Sequence, residues 1–311
     1  MDPSDERTAL HLCYNIEVDL FDQTFGHLVS DVVVCVFDLI LMIVAIVANF
    51  LAIAAYKKTA LLQTPSNCLL MILSIFDILL ASTAQPMFLV WKILELADSM
   101  TCGWYLATHL SINLFGALSF LVASFFISLE RYFAVFHPLV YGNNARKLFF
   151  KVAAAVAFFA WLLFLVGTFF GDFHRVYFAV AVALVTLCLL GTGVAYARIF
   201  REISRRSSAR QVSLEGSWEE RRDRSREKKA LVNMVFIIGA MTLLYAPVGG
   251  CAVYAMTIGR DWLYMNYFVP WAYLLVFTSA AVNPFLYGWE NRGVRSSLKV
   301  LRFKGFKETG V

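Results

Sequence analysis

The chain has 311 residues, 60% of them hydrophobic and 16% charged, with a mean hydropathy of +0.67. A soluble domain averages about 45–50% apolar and about 25% charged residues, so both values point away from water and toward lipid. The net charge of +5 is spread between apolar runs and not gathered on one patch, which excludes a nucleic-acid partner and reads as a topology signal.

The first 31 residues form a polar, acidic segment with Asp2, Asp5, Glu6, Glu17, Asp19 and Asp22 against a single Arg7. It lacks the basic start and apolar stretch of a cleavable signal, so the first span is expected to direct its own insertion. Seven apolar runs follow: Val32–Tyr56, Asn67–Trp91, Trp104–Phe136, Leu148–Phe170, Tyr177–Phe200, Lys229–Thr257 and Met265–Trp289. Each is long enough, at 1.5 Å per residue, to cross about 30 Å of hydrocarbon. They have almost no polar face, whereas buried helices of a soluble protein keep one. The expected architecture is an all-α, seven-transmembrane helix bundle. Its parts are an N-terminal segment over 1–31, a membrane domain over 32–289 and a tail over 290–311.

Lys and Arg set the orientation. Lys57 and Lys58, then Arg146 and Lys147, then the run from Arg198 to Lys229, and finally Arg292 to Lys307 all fall on one side. The other side has Arg7, Lys92, Arg175 and Arg260. The positive-inside tendency places the first group, with the C-terminus, in the cytoplasm and the N-terminus outside, at the plasma membrane. The hydrophilic stretch over 201–228 mixes Ser, Arg and Glu without period and is expected to be a mobile loop. It offers a basic-directed phosphorylation sequence, Arg205-Arg206-Ser207-Ser208, or contact with anionic lipid. Beyond Trp289 a basic amphipathic stretch with Val294, Leu298 and Leu301 suits a helix on the membrane surface.

Of six cysteines, Cys35, Cys68, Cys188 and Cys251 sit inside apolar runs as small buried groups. Cys13 and Cys102 fall in non-cytoplasmic segments, where a disulfide between them and two free thiols both remain open. No Cys/His cluster with metal-ligand spacing is present.

Polar groups inside spans are costly and therefore informative. The informative ones are Asn49, Asp77, Glu130-Arg131 and Asn283, with Asp38 in the first span lacking an evident role. Pro247 and Pro284 each remove a backbone hydrogen bond and are expected to kink the sixth and seventh spans. Asn49, Ser279 and Asn283 are the expected partners of Asp77.

In order along the chain, these residues resemble the rhodopsin-like (class A) G-protein-coupled receptors. Asn49 marks the first span, Leu73-Ser74-Ile75-Phe76-Asp77 the second, Glu130-Arg131-Tyr132 the third and Trp161 the fourth. Tyr196 marks the fifth span, Pro247 the sixth and Asn283-Pro284-Phe285-Leu286-Tyr287 the seventh. The resemblance implies a receptor without enzymatic chemistry that passes an extracellular small-molecule or peptide signal to a heterotrimeric G protein. It implies that Glu130, Arg131, Tyr132, Tyr196, Tyr245, Pro247, Asn283, Pro284 and Tyr287 form the switch. It also implies a sodium ion at Asp77, with Asn49, Ser279 and Asn283, against the plainer reading of a hydrogen-bond network. Similar receptors pair the arginine with an acidic residue on the sixth helix. Glu227 stands 20 residues before Pro247, about 30 Å along a helix, and is the candidate.

Departures from the pattern bear on the ligand. Tyr245 stands where the family has a Trp two residues before the proline, and the segment after the fourth span has no Cys for the usual disulfide. Asn113 occupies the place, 18 residues before Arg131, of the Asp that similar amine receptors use as counter-ion. Phe277, seven before Pro284, replaces the Lys that a retinal Schiff base needs, so no retinal is expected. Candidate pocket residues are Gln85, His109, Asn113, Tyr245 and Tyr273, with Trp91, Tyr254 and Trp271 nearby in sequence depth. Gln85-Pro86-Met87 and the compact loops resemble small-ligand and invertebrate-type orphan receptors. The alternative is a receptor-like protein that regulates a partner without ligand. A transporter or channel, which would need a polar pathway or an internal repeat, is disfavoured.

Overall fold

The computed structural model describes residues 25–58, 65–97, 102–137, 174–211, 238–254 and 264–290, together with a few single positions between them. Among the described residues there are helices and no strands. Helix α1 is Phe25–Lys58. Helix α2 runs as Pro65–Leu79, a π-helical turn at Leu80–Ala84, and Gln85–Leu96. Helix α3 runs as Cys102–Leu121, a π-helical turn at Val122–Phe126, and Ile127–Phe136. Helix α4 is His174–Gln211 and α5 is Ile238–Tyr254. Helix α6 begins with a π-helical turn at Tyr264–Phe268 and continues as Val269–Glu290. Four of these helices are long and apolar enough to cross a membrane, and α5 is a shorter apolar helix. The fourth apolar run lies almost wholly outside the described residues, as do Trp161, Glu227, Cys13 and the amphipathic stretch over 291–311.

Helix α1 shows how lipid selects the faces. Asp31, Val34, Asp38, Ala45, Asn49 and Ala52 are buried and recur at helical spacing. Val32, Val36, Phe37, Ile40, Ile43, Val47 and Phe50, on the other side, are each at least half exposed. The arrangement is inside-out relative to a soluble helix, because only the bundle interior supplies partners for polar groups. Asp38 finds its role here. Gln85 Nε2 donates to its carboxylate at 2.7 Å, tying α2 to α1 with both side chains fully buried.

The π turn in α2 has a local cause. Pro86 has no N–H and its ring crowds the carbonyl four residues back. The helix relieves this by widening one turn, so that the Gln85 N–H reaches Leu80 O instead of the usual carbonyl. In α3 the corresponding wide turn sends the Ile127 N–H to Val122 O. The Ser124 carbonyl there accepts from the hydroxyls of Ser128 and, at 3.2 Å, of Thr192 on α4.

Two expectations of extent are corrected. The stretch from Arg201 is not a loop throughout, since α4 continues unbroken to Gln211. Its residues after Phe200 are Arg, Glu, Ser, Ile, Ala and Gln, with neither Gly nor Pro, and Arg198, Glu202 and Arg206 alternate in sign at i,i+4 spacing. Helix α1 likewise starts about two turns before the apolar run at Val32.

The core forms two layers along the bundle. One, toward Arg131, gathers Leu69, Leu73, Phe126, Ile127 and Met241. The other gathers Leu80, Phe88, Trp91, Ile112 and Phe277. Tyr245 packs against both.

The Asp38–Gln85 pair yields the first test. Asp38→Ala strands a buried amide and is expected to cost about 1–3 kcal/mol. Combining it with Gln85→Leu should recover part of that loss in thermal melts of the purified protein; strictly additive losses would contradict the pairing.

Candidate functional site

Asp77, on α2, has no exposed surface. One carboxylate oxygen accepts from Ser119 Oγ of α3 at 2.8 Å, and the other from Asn283 Nδ2 of α6 at 2.8 Å. Three helices thus meet on one charge. Asn49 adds a fourth, donating to the carbonyls of Ala45 at 3.0 Å and of Ala280 on α6 at 2.9 Å. The expected partner Asn283 is in place, whereas Asn49 joins α6 through backbone. The Ser279 hydroxyl is 2.7 Å from Val276 O and 3.3 Å from the Tyr245 hydroxyl. Its single proton goes to the carbonyl, so Tyr245 is the donor in the second contact. Ser119 was missed by sequence reasoning. A lone Ser in a span usually satisfies itself on the carbonyl four residues back, as Ser111 and Ser124 do, and nothing in sequence separates Ser119 from them.

This set can hold a small hard cation by its chemistry. A carboxylate, two serine hydroxyls and amide oxygens are all-oxygen donors of the kind such ions take. The amide oxygens of Asn49 and Asn283 are buried with no hydrogen-bond partner among the described residues.

Further along the bundle, away from Arg131, three of the five pocket candidates come together. His109 Nδ1 and the Tyr273 hydroxyl are 2.5 Å apart. Asn113 Nδ2 donates to the His109 carbonyl at 2.8 Å and lies 3.4 Å from the same hydroxyl. An amide N–H can only donate, so the Tyr273 oxygen accepts from Asn113, while the direction of the Tyr273–His109 bond is set by the imidazole tautomer. Trp91 and Tyr105 pack on the imidazole, with ring centroids 5.1 and 4.1 Å away. Gln85 does not join this group, being turned to Asp38. Tyr245 lies deeper, its ring 4.9 Å from that of Phe120. Gly116 makes room for it: a Cβ there would stand 3.2 Å from Val276 Cγ1 and 3.8 Å from Tyr245 Cε1. Trp271 faces outward and donates to Ser30 Oγ at 3.0 Å.

At the opposite end Glu130 is fully buried and Arg131 partly exposed, with Nε 3.3 Å from Glu130 Oε2. Tyr132 packs on Phe136 with centroids 4.6 Å apart. Tyr196 of α4 packs against the core layer on this side. Pro247 and Pro284 fall inside α5 and α6. The backbone of Tyr287 is helical, but its side chain, that of Cys102, and all of Glu227 and Cys13 lie outside the described residues. The Arg131–Glu227 and Cys13–Cys102 pairings therefore have no geometry here.

Residues 48–177 match the family of 7 transmembrane receptors of the rhodopsin type. Over that stretch the chain resembles the rhodopsin-like receptors. It is 25% identical to the histamine H2 receptor of Cavia porcellus over 92% of this chain and 83% of that one. It is 24% identical to the histamine H2 receptor of Homo sapiens over 84% and 77%. The muscarinic acetylcholine receptor M3 of Sus scrofa is 27% identical over 46% of this chain and 23% of its own length. These similarities support a multi-pass membrane protein of the seven-transmembrane fold with G-protein-coupled receptor signalling.

Replacing Tyr273 by Phe removes a hydroxyl on α6 that both His109 and Asn113 reach. The expected loss is about 1–3 kcal/mol in thermal stability. An unchanged melting temperature would show that the contact does not join the two helices.

Proposed function

We propose that the receptor sits with its N-terminal segment outside the cell, takes up a small ligand beside His109, Asn113 and Tyr273, and engages a heterotrimeric G protein at the Arg131 end. The observation that carries this reading is the paired linkage of α3 and α6. They are joined at Tyr273 near one end and through Asp77 deeper in. A ligand that inserts between Asn113 and Tyr273 changes the first linkage and biases the second. A ligand shifts such a two-state bundle only through its differential affinity for the two packings.

The chemistry of the locus favours a compact, hydrogen-bonding ligand without a strong positive charge. His109, Asn113 and Tyr273 supply donors, acceptors and aromatic faces, but no counter-ion, and an unpaired ammonium in a dry site is costly. A second reading has support too, because the relatives named above are receptors for histamine and acetylcholine, an amine and a quaternary ammonium. Asn113→Asp separates the two. It should confer or sharpen responses to small amines in a G-protein activation assay if the wild-type ligand is uncharged. Strong wild-type responses to amines, abolished by no change at Asn113, would favour the second reading with a different anchor.

At the other end, Arg131 is assigned to the G protein in the active state and Glu227 to Arg131 at rest. Glu227→Gln is expected to raise ligand-independent nucleotide exchange several-fold, and Arg131→Ala to reduce both basal and stimulated exchange. Basal activity unaffected by either change would overturn the assignment and leave the ligand-independent regulatory role as the better reading.

Sodium is assigned to the Asp77 set, held by Asp77, Ser119, Asn283 and, from α6, Ser279. The ion would supply a positive charge that holds α2, α3 and α6 together. Sodium should lower basal exchange in the wild type and have no effect in Asp77→Asn.

A further inference from the structure

A second polar cluster lies at the end of the bundle away from Arg131, and the signalling network does not use it. His27 and Asp31 stand in the first two turns of α1. Lys92 and Glu95 stand in the last turn and a half of α2. The exposures of these side chains are 1%, 0%, 0% and 8% respectively. Four ionisable groups packed out of water within one small volume are costly unless they are mutually satisfied.

The geometry divides the two carboxylates in the same way. Lys92 Nζ is 3.0 Å from Asp31 Oδ1 and 3.0 Å from Glu95 Oε2. The remaining oxygens turn to a single imidazole nitrogen, with His27 Nε2 at 3.2 Å from Asp31 Oδ2 and 3.8 Å from Glu95 Oε1. One nitrogen and two oxygens thus form a triangle with every edge within 4.8 Å. A tetrahedral zinc centre with bonds of about 2.0–2.1 Å has ligand–ligand edges of about 3.3 Å. The two distances from His27 bracket that value, and the oxygen–oxygen edge lies within 4.8 Å.

We propose that His27, Asp31 and Glu95 form a zinc site, with Lys92 as the outer-shell group that orients both carboxylates. The donor set selects the metal. Imidazole with carboxylate suits Zn2+, whereas Ca2+ and Mg2+ require more ligands, all of them oxygen. Lys92 does not compete for the same atoms. It holds the second oxygen of each carboxylate, as hydrogen-bonding groups around metal-bound carboxylates do. With His27 neutral, the four side chains sum to one negative charge, which attracts a cation. Three protein ligands leave a fourth coordination position for a water molecule. Occupancy would clamp α1 to α2. It would also act on α6, whose Tyr267 ring lies 5.9 Å from the His27 ring.

The test uses the full-length receptor in nanodiscs, stripped with chelator and titrated with Zn2+ and, separately, with Co2+. Zn2+ should raise the melting temperature, Mg2+ should not, and Co2+ should develop the visible absorption of a four-coordinate centre. His27→Gln and Asp31→Asn keep shape and leave at least one Lys92 ion pair. Each should weaken the apparent Zn2+ affinity by about tenfold or more and abolish the cobalt band. Either variant suffices if the other does not purify. A wild-type receptor with neither a Zn2+-dependent melt nor a cobalt band would overturn the proposal. So would a response that survives in the variants, which would place the ion on other histidines and leave this cluster as ion pairs alone.

Discussion

A carboxylate sealed inside a lipid-embedded bundle constrains everything around it. Asp77 has no exposed surface, and neighbouring helices supply its hydrogen bonds. Ser119 and Asn283 do so from α3 and α6, so the register of three helices is fixed at one depth. Asn49 extends the constraint to α1 through the Ala280 carbonyl. Tyr245 brings in α5 by way of Ser279. The contacts at and around Asp77 therefore link five of the six described helices.

Tyr245 connects this constraint to movement. It packs against both core layers, and Gly116 leaves it the space to do so. The residue that the family more often has here, Trp, would bring a larger ring and a different donor. Tyr instead offers a hydroxyl that reaches Ser279. Above it, the His109–Asn113–Tyr273 contacts join α3 to α6 a second time. Below it, Glu130 and Arg131 close on each other. Tyr245, which packs against both core layers, lies between the Tyr273 contacts and the Arg131 end, with Pro247 and Pro284 as the points where α5 and α6 lack a backbone hydrogen bond.

What sequence could show follows from the same physics. Lipid rewards long apolar runs, so the membrane architecture was plain, and the polar exceptions Asp77, Asn49 and Asn283 stood out because they are costly. Helix ends were less legible, since hydropathy marks the hydrocarbon boundary and not the last helical residue. Hence α1 begins at Phe25 and α4 runs to Gln211. Pairing was least legible. Asp38 had no visible partner until Gln85 proved to face it, and Ser119 looked like any serine inside a helix. Lys92, counted among the charges on the outer side, turned out to be fully buried between Asp31 and Glu95. Partners on different helices are set by rotation about each helix axis, and no local pattern encodes that rotation.

The central claim is that the Asp77–Asn283 contact holds α2 to α6 in the resting packing. Exchanging the two residues tests it most directly. Asp77→Asn alone leaves two amides and no charge, and Asn283→Asp alone sets two carboxylates against each other. Both should lower thermal stability and disturb G-protein activation. The double variant, Asp77→Asn with Asn283→Asp, restores one carboxylate and one amide across the same 2.8 Å contact. It should recover much of both properties. A double variant as impaired as the worse single variant would show that the contact is not what joins these helices.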